Sequence, residues 1–120
     1  GGPLVQHALV AMLDLVHDGL LPVEKVVDLM AHRVARLFRM ADRGFIRPGM
    51  KADLVVVQPN DPWTVHEGNV MSKCGWSPFQ GHTFKSRVHE TWVNGTQVWD
   101  GQRITTTHGH HVGERLTFAR

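Results

Sequence analysis

Apolar residues recur at three- and four-residue steps up to about Met40, and from Arg43 onward short β-branched runs separated by turns replace them. Leu4, Val5, Ala8, Leu9, Met12, Leu15 and Val16 fall on one face of a predicted helix, because such steps return to the same side of a 3.6-residue turn. Val10, Ala11 and Leu13 widen the stripe, so this helix is expected to pack on more than one side. Gly19 reads as its stop. Pro22 suits the first turn of a second helix, where a missing N–H costs nothing. That helix is expected to bury Val23, Val26, Val27 and Met30, and a further short one to hold Val34, Leu37 and Phe38.

In the second half, Pro48-Gly49 marks a turn and Leu54 to Val57, closed by Pro59, a strand. Thr91-Trp92-Val93 and Thr96 to Trp99 flank Asn94-Gly95, a pair that tolerates two consecutive positive φ angles. The arrangement predicts a type I′ hairpin. Asn60 to Gly81, rich in Pro, Gly and Ser, reads as irregular, and no repeat or low-complexity tract is present. Helices followed by strands suggest an α+β arrangement. One hairpin and one extra run make a marginal sheet, however, so further strands are expected from elsewhere.

Composition narrows the class. The 120 residues are 42% hydrophobic and 20% charged, which argues against disorder and fibrous repeats. Net charge is +2 with the cations scattered, which gives no nucleic-acid face. No apolar run approaches the ~20 residues that cross a bilayer. Cys74 is the single cysteine, so no internal disulfide can form and secretion gains no support. Gly1-Gly2-Pro3 is neither an initiator methionine nor a signal-peptide start, so the chain is expected to be a cytoplasmic fragment of a longer protein.

Arg43 to Val57 (Arg-Gly-Phe-Ile-Arg-Pro-Gly-Met-Lys-Ala-Asp-Leu-Val-Val-Val) resembles a pattern typical of the amidohydrolase superfamily. In it Gly44 and Gly49 relieve tight backbone, Pro48 fixes the turn, and Ile46 and Leu54 are expected to face one core. Ser72-Lys73-Cys74-Gly75-Trp76-Ser77-Pro78-Phe79-Gln80-Gly81 is similar to the Ser-Lys…Ser/Thr-Pro-Phe-x-Gly segment of dihydroorotases, with allantoinases and dihydropyrimidinases as near relatives. Gly1 to His7 resembles the glycine-rich loop after the last barrel strand of a dihydroorotase, and Gly113 to Phe118 the ending of one bacterial branch.

The resemblance implies an α/β fold: the C-terminal helices of a (β/α)8 TIM-barrel metal-dependent hydrolase joined to part of a small composite β-sandwich. Residues 1–42 would be the last barrel loop and helices, 43–104 the sandwich strands, and 105–120 the tail. It implies a parent enzyme with two zinc ions that interconverts N-carbamoyl-L-aspartate and (S)-dihydroorotate in pyrimidine synthesis. There metal-activated water opens the ring amide and an aspartate shuttles the proton. None of the family's metal ligands maps onto this sequence, and its catalytic aspartate falls upstream of Gly1. The fragment itself is thus expected to be inactive and to bind no metal natively. Gly1, Gly2 and Pro3 would border the substrate, where glycine allows close approach. The implied partners are the rest of the parent chain, a small-molecule substrate and further copies in a homo-oligomer, without nucleic acid or membrane.

Other residues invite sharper readings. His108-Gly109-His110 copies a His-x-His spelling, yet it follows the final hairpin, and a structural metal site normally needs four ligands. The stretch His108 to His111 is therefore read as a solvated tail or adventitious site. His7, His17, His32, His66, His82 and His89 are spread singly and read as hydrogen-bonded structural groups. Asp53, at a strand entry, is expected to accept backbone N–H bonds. Cys74 is expected to be buried and inert. Trp63, Trp76, Trp92 and Trp99 are expected to pack the β portion against the helices. Two competing functions stay open: a related cyclic amidohydrolase (allantoinase or dihydropyrimidinase), and a non-catalytic dihydropyrimidinase-like interaction protein. A free-standing ligand-binding β module fits the barrel-like helices poorly.

Overall fold

In a computed structural model, residues 2–106 and 112–119 are described. The chain enters through a turn in which Leu4 O accepts from His7 N (3.0 Å), and helix α1 follows over Ala8–His17. Leu4 and Val5 thus precede the helix instead of lying on its face, and Val5 is 95% exposed. Val10 is the one residue of α1 that is fully buried, and the rest of the apolar stripe is half covered. Gly19 ends the helix as expected: at φ 72° its N–H reaches Val16 O while Leu20 N reaches Leu15 O.

After Pro22, α2 (Val23–Val27), a π-helical turn (Asp28–His32) and α3 (Arg33–Leu37) follow without interruption. The burial expected here is largely overturned. Val26 and Ala35 are buried, whereas Val23, Val27, Met30, Val34, Leu37 and Phe38 are all exposed. The reason at Ala35 is steric. Gly44 sits so close that a Cβ built on it would lie 2.3 Å from the Ala35 Cβ, so the small-residue side of the helix is the covered one.

Strands β1 (Leu54–Gln58), β2 (Trp63–Thr64), β3 (Thr83–Phe84), β4 (Arg87–Val93) and β5 (Thr96–Trp99) complete the chain, with a 3-10 turn at Glu67–Asn69. The elements fall into two compact units, each assembled from two separate stretches. The first joins residues 1–26 to 58–87. Here β2 and β3 pair antiparallel, Trp63 with Phe84 and Thr64 with Thr83, beside α1. Its core holds Val10, Val26, Val65, Phe84 and, among them, the polar His7, Ser77 and Ser86. Asn60 to Gly81 is accordingly less irregular than its composition suggests. Two-residue strands and a single 3-10 turn carry no periodicity to read.

The second unit joins residues 27–57 to 88–120. Its sheet runs β1-β4-β5, with β4 and β5 antiparallel and a register irregularity at Thr91/Trp92. Asn94 (φ 49°) and Gly95 (φ 78°) form the expected turn with both residues left-handed. Ile46 and Leu54 do not share a core: Ile46 is 88% exposed and Leu54 lies at the surface of β1 with Val55 and Val56. Arg43 is buried instead. It pairs with Asp53, whose other oxygen accepts Asn94 N at 2.8 Å, so one carboxylate ties the turn before β1 to the hairpin tip. The terminal segment closes on the same region through Ala41 N to Thr117 O (2.9 Å), Ala119 N to Arg39 O (2.7 Å) and Lys51 Nζ to Glu114 (2.7 Å).

Candidate functional site

The glycine loop leads directly into α1 in the first unit. Gly2 is exposed and its carbonyl accepts from Leu4 N at 2.9 Å; Pro3 is half-buried. Among the described residues a Cβ on Gly2 would meet only the Leu4 side chain, at 3.8 Å. Gly1 and the His108 to His111 stretch lie outside the described residues.

Immediately behind the loop, two side chains bind the stretch that carries the Ser-Pro-Phe signature. Gln6 Nε2 donates to Asn69 O (2.7 Å) and its Oε1 accepts from Met71 N (2.8 Å). His7 is wholly buried, with Nδ1 3.0 Å from Ser77 Oγ, and that same hydroxyl accepts from Phe79 N at 3.1 Å. The imidazole stacks on Phe84 and meets Phe79 edge-on and Trp63 at a tilt, with ring centroids 5.7–5.8 Å apart. Burial lowers its pKa below the ordinary histidine value, so the ring is neutral at pH 7. Among the described residues His7 Nε2 has no hydrogen-bond partner. Sequence reasoning placed Gln6 in the loop and treated His7 as one of six scattered histidines. Only proximity across seventy residues reveals the pair.

His17, His66, His82 and His32 behave as hydrogen-bonded or stacked structural groups, whereas His89 is exposed on β4. His17 contacts Pro59 O (2.6 Å), His66 accepts Gly68 N in a capping turn, and His82 reaches Asp14 (2.8 Å). His32 stacks flat on Phe45 at 4.5 Å. Asp14 also accepts Lys85 N, and Lys85 Nζ pairs with Asp18 (2.5 Å), which pins α1 to the start of the segment after β3. Among the described residues no three His, Cys, Asp or Glu side chains are gathered as metal ligands.

Two expectations need correction. Cys74 is exposed, not buried, and the Ser72 hydroxyl 3.1 Å away, with a backbone hydrogen bond at Trp76, holds its thiol below the ordinary value. A surface bend at Gly75 (φ 72°) presents it to solvent. Trp76 is 50% exposed as well, whereas Trp63 packs as expected and donates its indole N–H to Ser86 O (2.9 Å). Trp92 and Trp99 are half-buried on the hairpin, with indole donors spent on Glu90 and Val88 O.

These helices and short strands are shared with known proteins. The chain belongs to the amidohydrolase family, whose model matches residues 5–99. It is 39% identical over 93% of its length to a dihydroorotase of Halobacterium salinarum and 30% identical over 97% to one of Pyrococcus horikoshii. An allantoinase of Rubrobacter xylanophilus is 34% identical over 84% of the chain. Among solved structures, the L-hydantoinase (dihydropyrimidinase) of Arthrobacter aurescens superposes with a TM-score of 0.80 at 28% identity, over 88% of this chain and 24% of that one. The chain spans about a quarter of these curated relatives, 26% of the Halobacterium protein and 27% of the Pyrococcus protein.

Proposed function

We propose that this chain is the C-terminal part of a zinc-dependent dihydroorotase that reversibly cyclises N-carbamoyl-L-aspartate to (S)-dihydroorotate. The observation that carries the reading is the pairing of His7 with Ser77. It joins the two stretches through which the sequence resembles dihydroorotases, the glycine loop and the Ser-Pro-Phe segment. The resemblance assigns the ligands of the two zinc ions and the catalytic aspartate to the part of the parent outside this chain. Metal binding and proton transfer belong to the remainder of the parent. This chain's share is to border the substrate at Gly1, Gly2 and Pro3, where the lack of a glycine side chain lets a ring or carboxylate approach the backbone. The parent would be a cytoplasmic homo-oligomer, with 1–42 as barrel loop and helices, 43–104 as sandwich strands and 105–120 as tail.

The test is turnover by the complete metal-loaded enzyme on dihydroorotate, allantoin and 5-substituted hydantoins side by side. Preference for dihydroorotate is expected. Preference for allantoin or a hydantoin reassigns the chain to that sister activity. No turnover of any of them, with the protein folded, leaves the non-catalytic dihydropyrimidinase-like role.

A further inference from the structure

The proposal rests on the reading just given and concerns Gln6, His7 and Ser77. Gln6 uses both ends of its amide on backbone groups of one segment, Asn69 O and Met71 N, and it lies three residues after Pro3. His7 is the next residue and lies against Ser77 from inside the core. Adjacent residues leaving a loop thus grip both ends of segment 69–77. The His7–Ser77 grip is closed to water, with His7 fully buried and Ser77 5% exposed, while the Gln6 grip lies at the surface, half-buried at Asn69 and exposed at Met71. A side chain that both donates and accepts has one productive amide orientation, so Gln6 fixes direction as well as distance. Ser77 Oγ takes the Phe79 N–H, which orients the hydroxyl toward His7 and locks that end of the segment as well.

We propose that Gln6 and His7, held by segment 69–77, are positioning residues that set the path of the loop at Gly2 and Pro3 toward the substrate. They touch no reacting atom. Their effect is to keep the loop backbone in one place before substrate arrives, which lowers the ordering cost of binding.

The complete enzyme carrying Gln6→Met, Ser77→Ala or Ser77→Thr tests this, each variant first shown to be folded by its thermal transition. Two readouts are taken. One is amide exchange of the peptide covering residues 2–12, which is independent of catalysis. The other is KM against kcat for whichever cyclic amide the unsubstituted enzyme turns over. Gln6→Met, which loses two partly exposed hydrogen bonds, and Ser77→Ala, which loses the buried one to His7, should each speed exchange and raise KM by about tenfold, with kcat within about twofold. Ser77→Thr, which keeps the hydroxyl, should restore both. Unchanged exchange over residues 2–12 overturns the proposal, as does faster exchange with KM unmoved or a fall in kcat alone. If the unsubstituted enzyme prefers another cyclic amide, the dihydroorotase reading fails while the proposal is still decided on that substrate. If it turns over none, both fail.

Discussion

Ser77 Oγ lies 3.0 Å from His7 Nδ1, across seventy residues of sequence, and both side chains are buried. Because burial depresses the His7 pKa, the folded chain holds this ring neutral while the unfolded chain titrates near about 6.5. The unfolded state therefore binds the extra proton first as pH falls. Stability from this group is complete above about pH 6.5 and declines from there down to the lower native value. Denaturant midpoints measured from pH 8 to pH 5 should fall below about 6.5, and His7→Phe should flatten that part of the profile. A profile unchanged by His7→Phe would assign the acid sensitivity to another group.

Gly44 and Gly49 have nearly the same left-handed φ, 87° and 86°, but different surroundings. A Cβ at Gly44 would collide with Ala35 Cβ at 2.3 Å, while one at Gly49 would meet nothing within 4 Å. Gly49→Ala should cost about 1 kcal/mol, the backbone penalty alone. Gly44→Ala should cost about 3 kcal/mol, because the helix must also move. Equal costs, read from paired denaturant melts, would mean that the Gly44–Ala35 approach relaxes freely.

The hairpin tip offers a cleaner backbone test. Nothing lies within 4 Å of a Cβ at Gly95, whose φ is 78°. Gly95→Val should therefore cost more than about 1 kcal/mol through conformation alone, and Gly95→Asn much less. Thermal melts of the two variants decide it, and a Gly95→Val melt matching the parent would exclude strain at this position.

The terminal segment is more than an appendage in the described structure. Removing residues 112–120 deletes the Ala41–Thr117 and Ala119–Arg39 backbone pairs, Asn94 Nδ2 to Val112 O (2.6 Å) and the Lys51–Glu114 contact. The expected loss is about 2–4 kcal/mol at about 1 kcal/mol per hydrogen bond. Glu114→Gln alone should cost about 1 kcal/mol, since its pair with Lys51 is well exposed and its contact with the buried Arg43 is long, at 3.8 Å. A truncated chain with an unshifted melt would show the segment to be dispensable.

The 120-residue chain by itself should not hydrolyse dihydroorotate, and it should self-associate through the exposed apolar residues Val27, Met30, Val34, Leu37 and Phe38 of the second unit. Light scattering at micromolar concentration and a turnover assay on fragment free of full-length enzyme check the two halves. A cooperatively folding monomer, or turnover abolished by a chelator, would contradict them.

Local chemistry made much of the fold legible. Gly19, the Asn94-Gly95 turn and the β1 run were readable because each depends on φ preference or β-branching within a few residues. The superfamily was readable at Arg43 to Val57 for a related reason: glycines and a proline at fixed spacing record a backbone path. Burial was not. The stripe on α2 and α3 shows the periodicity of a packed face, yet Ala35 and not Val34 or Leu37 is covered, because periodicity says which residues share a side and not what lies opposite. Cys74 likewise reads as a small hydrophobe until a bend at Gly75 turns it outward. The candidate site divides in the same way. The sequence by itself determined the glycine loop and the Ser-Pro-Phe segment as two separate motifs. Only the tertiary structure decided that Gln6 and His7 bind one to the other, because a hydrogen bond between residues seventy apart leaves no mark in local propensity or periodicity.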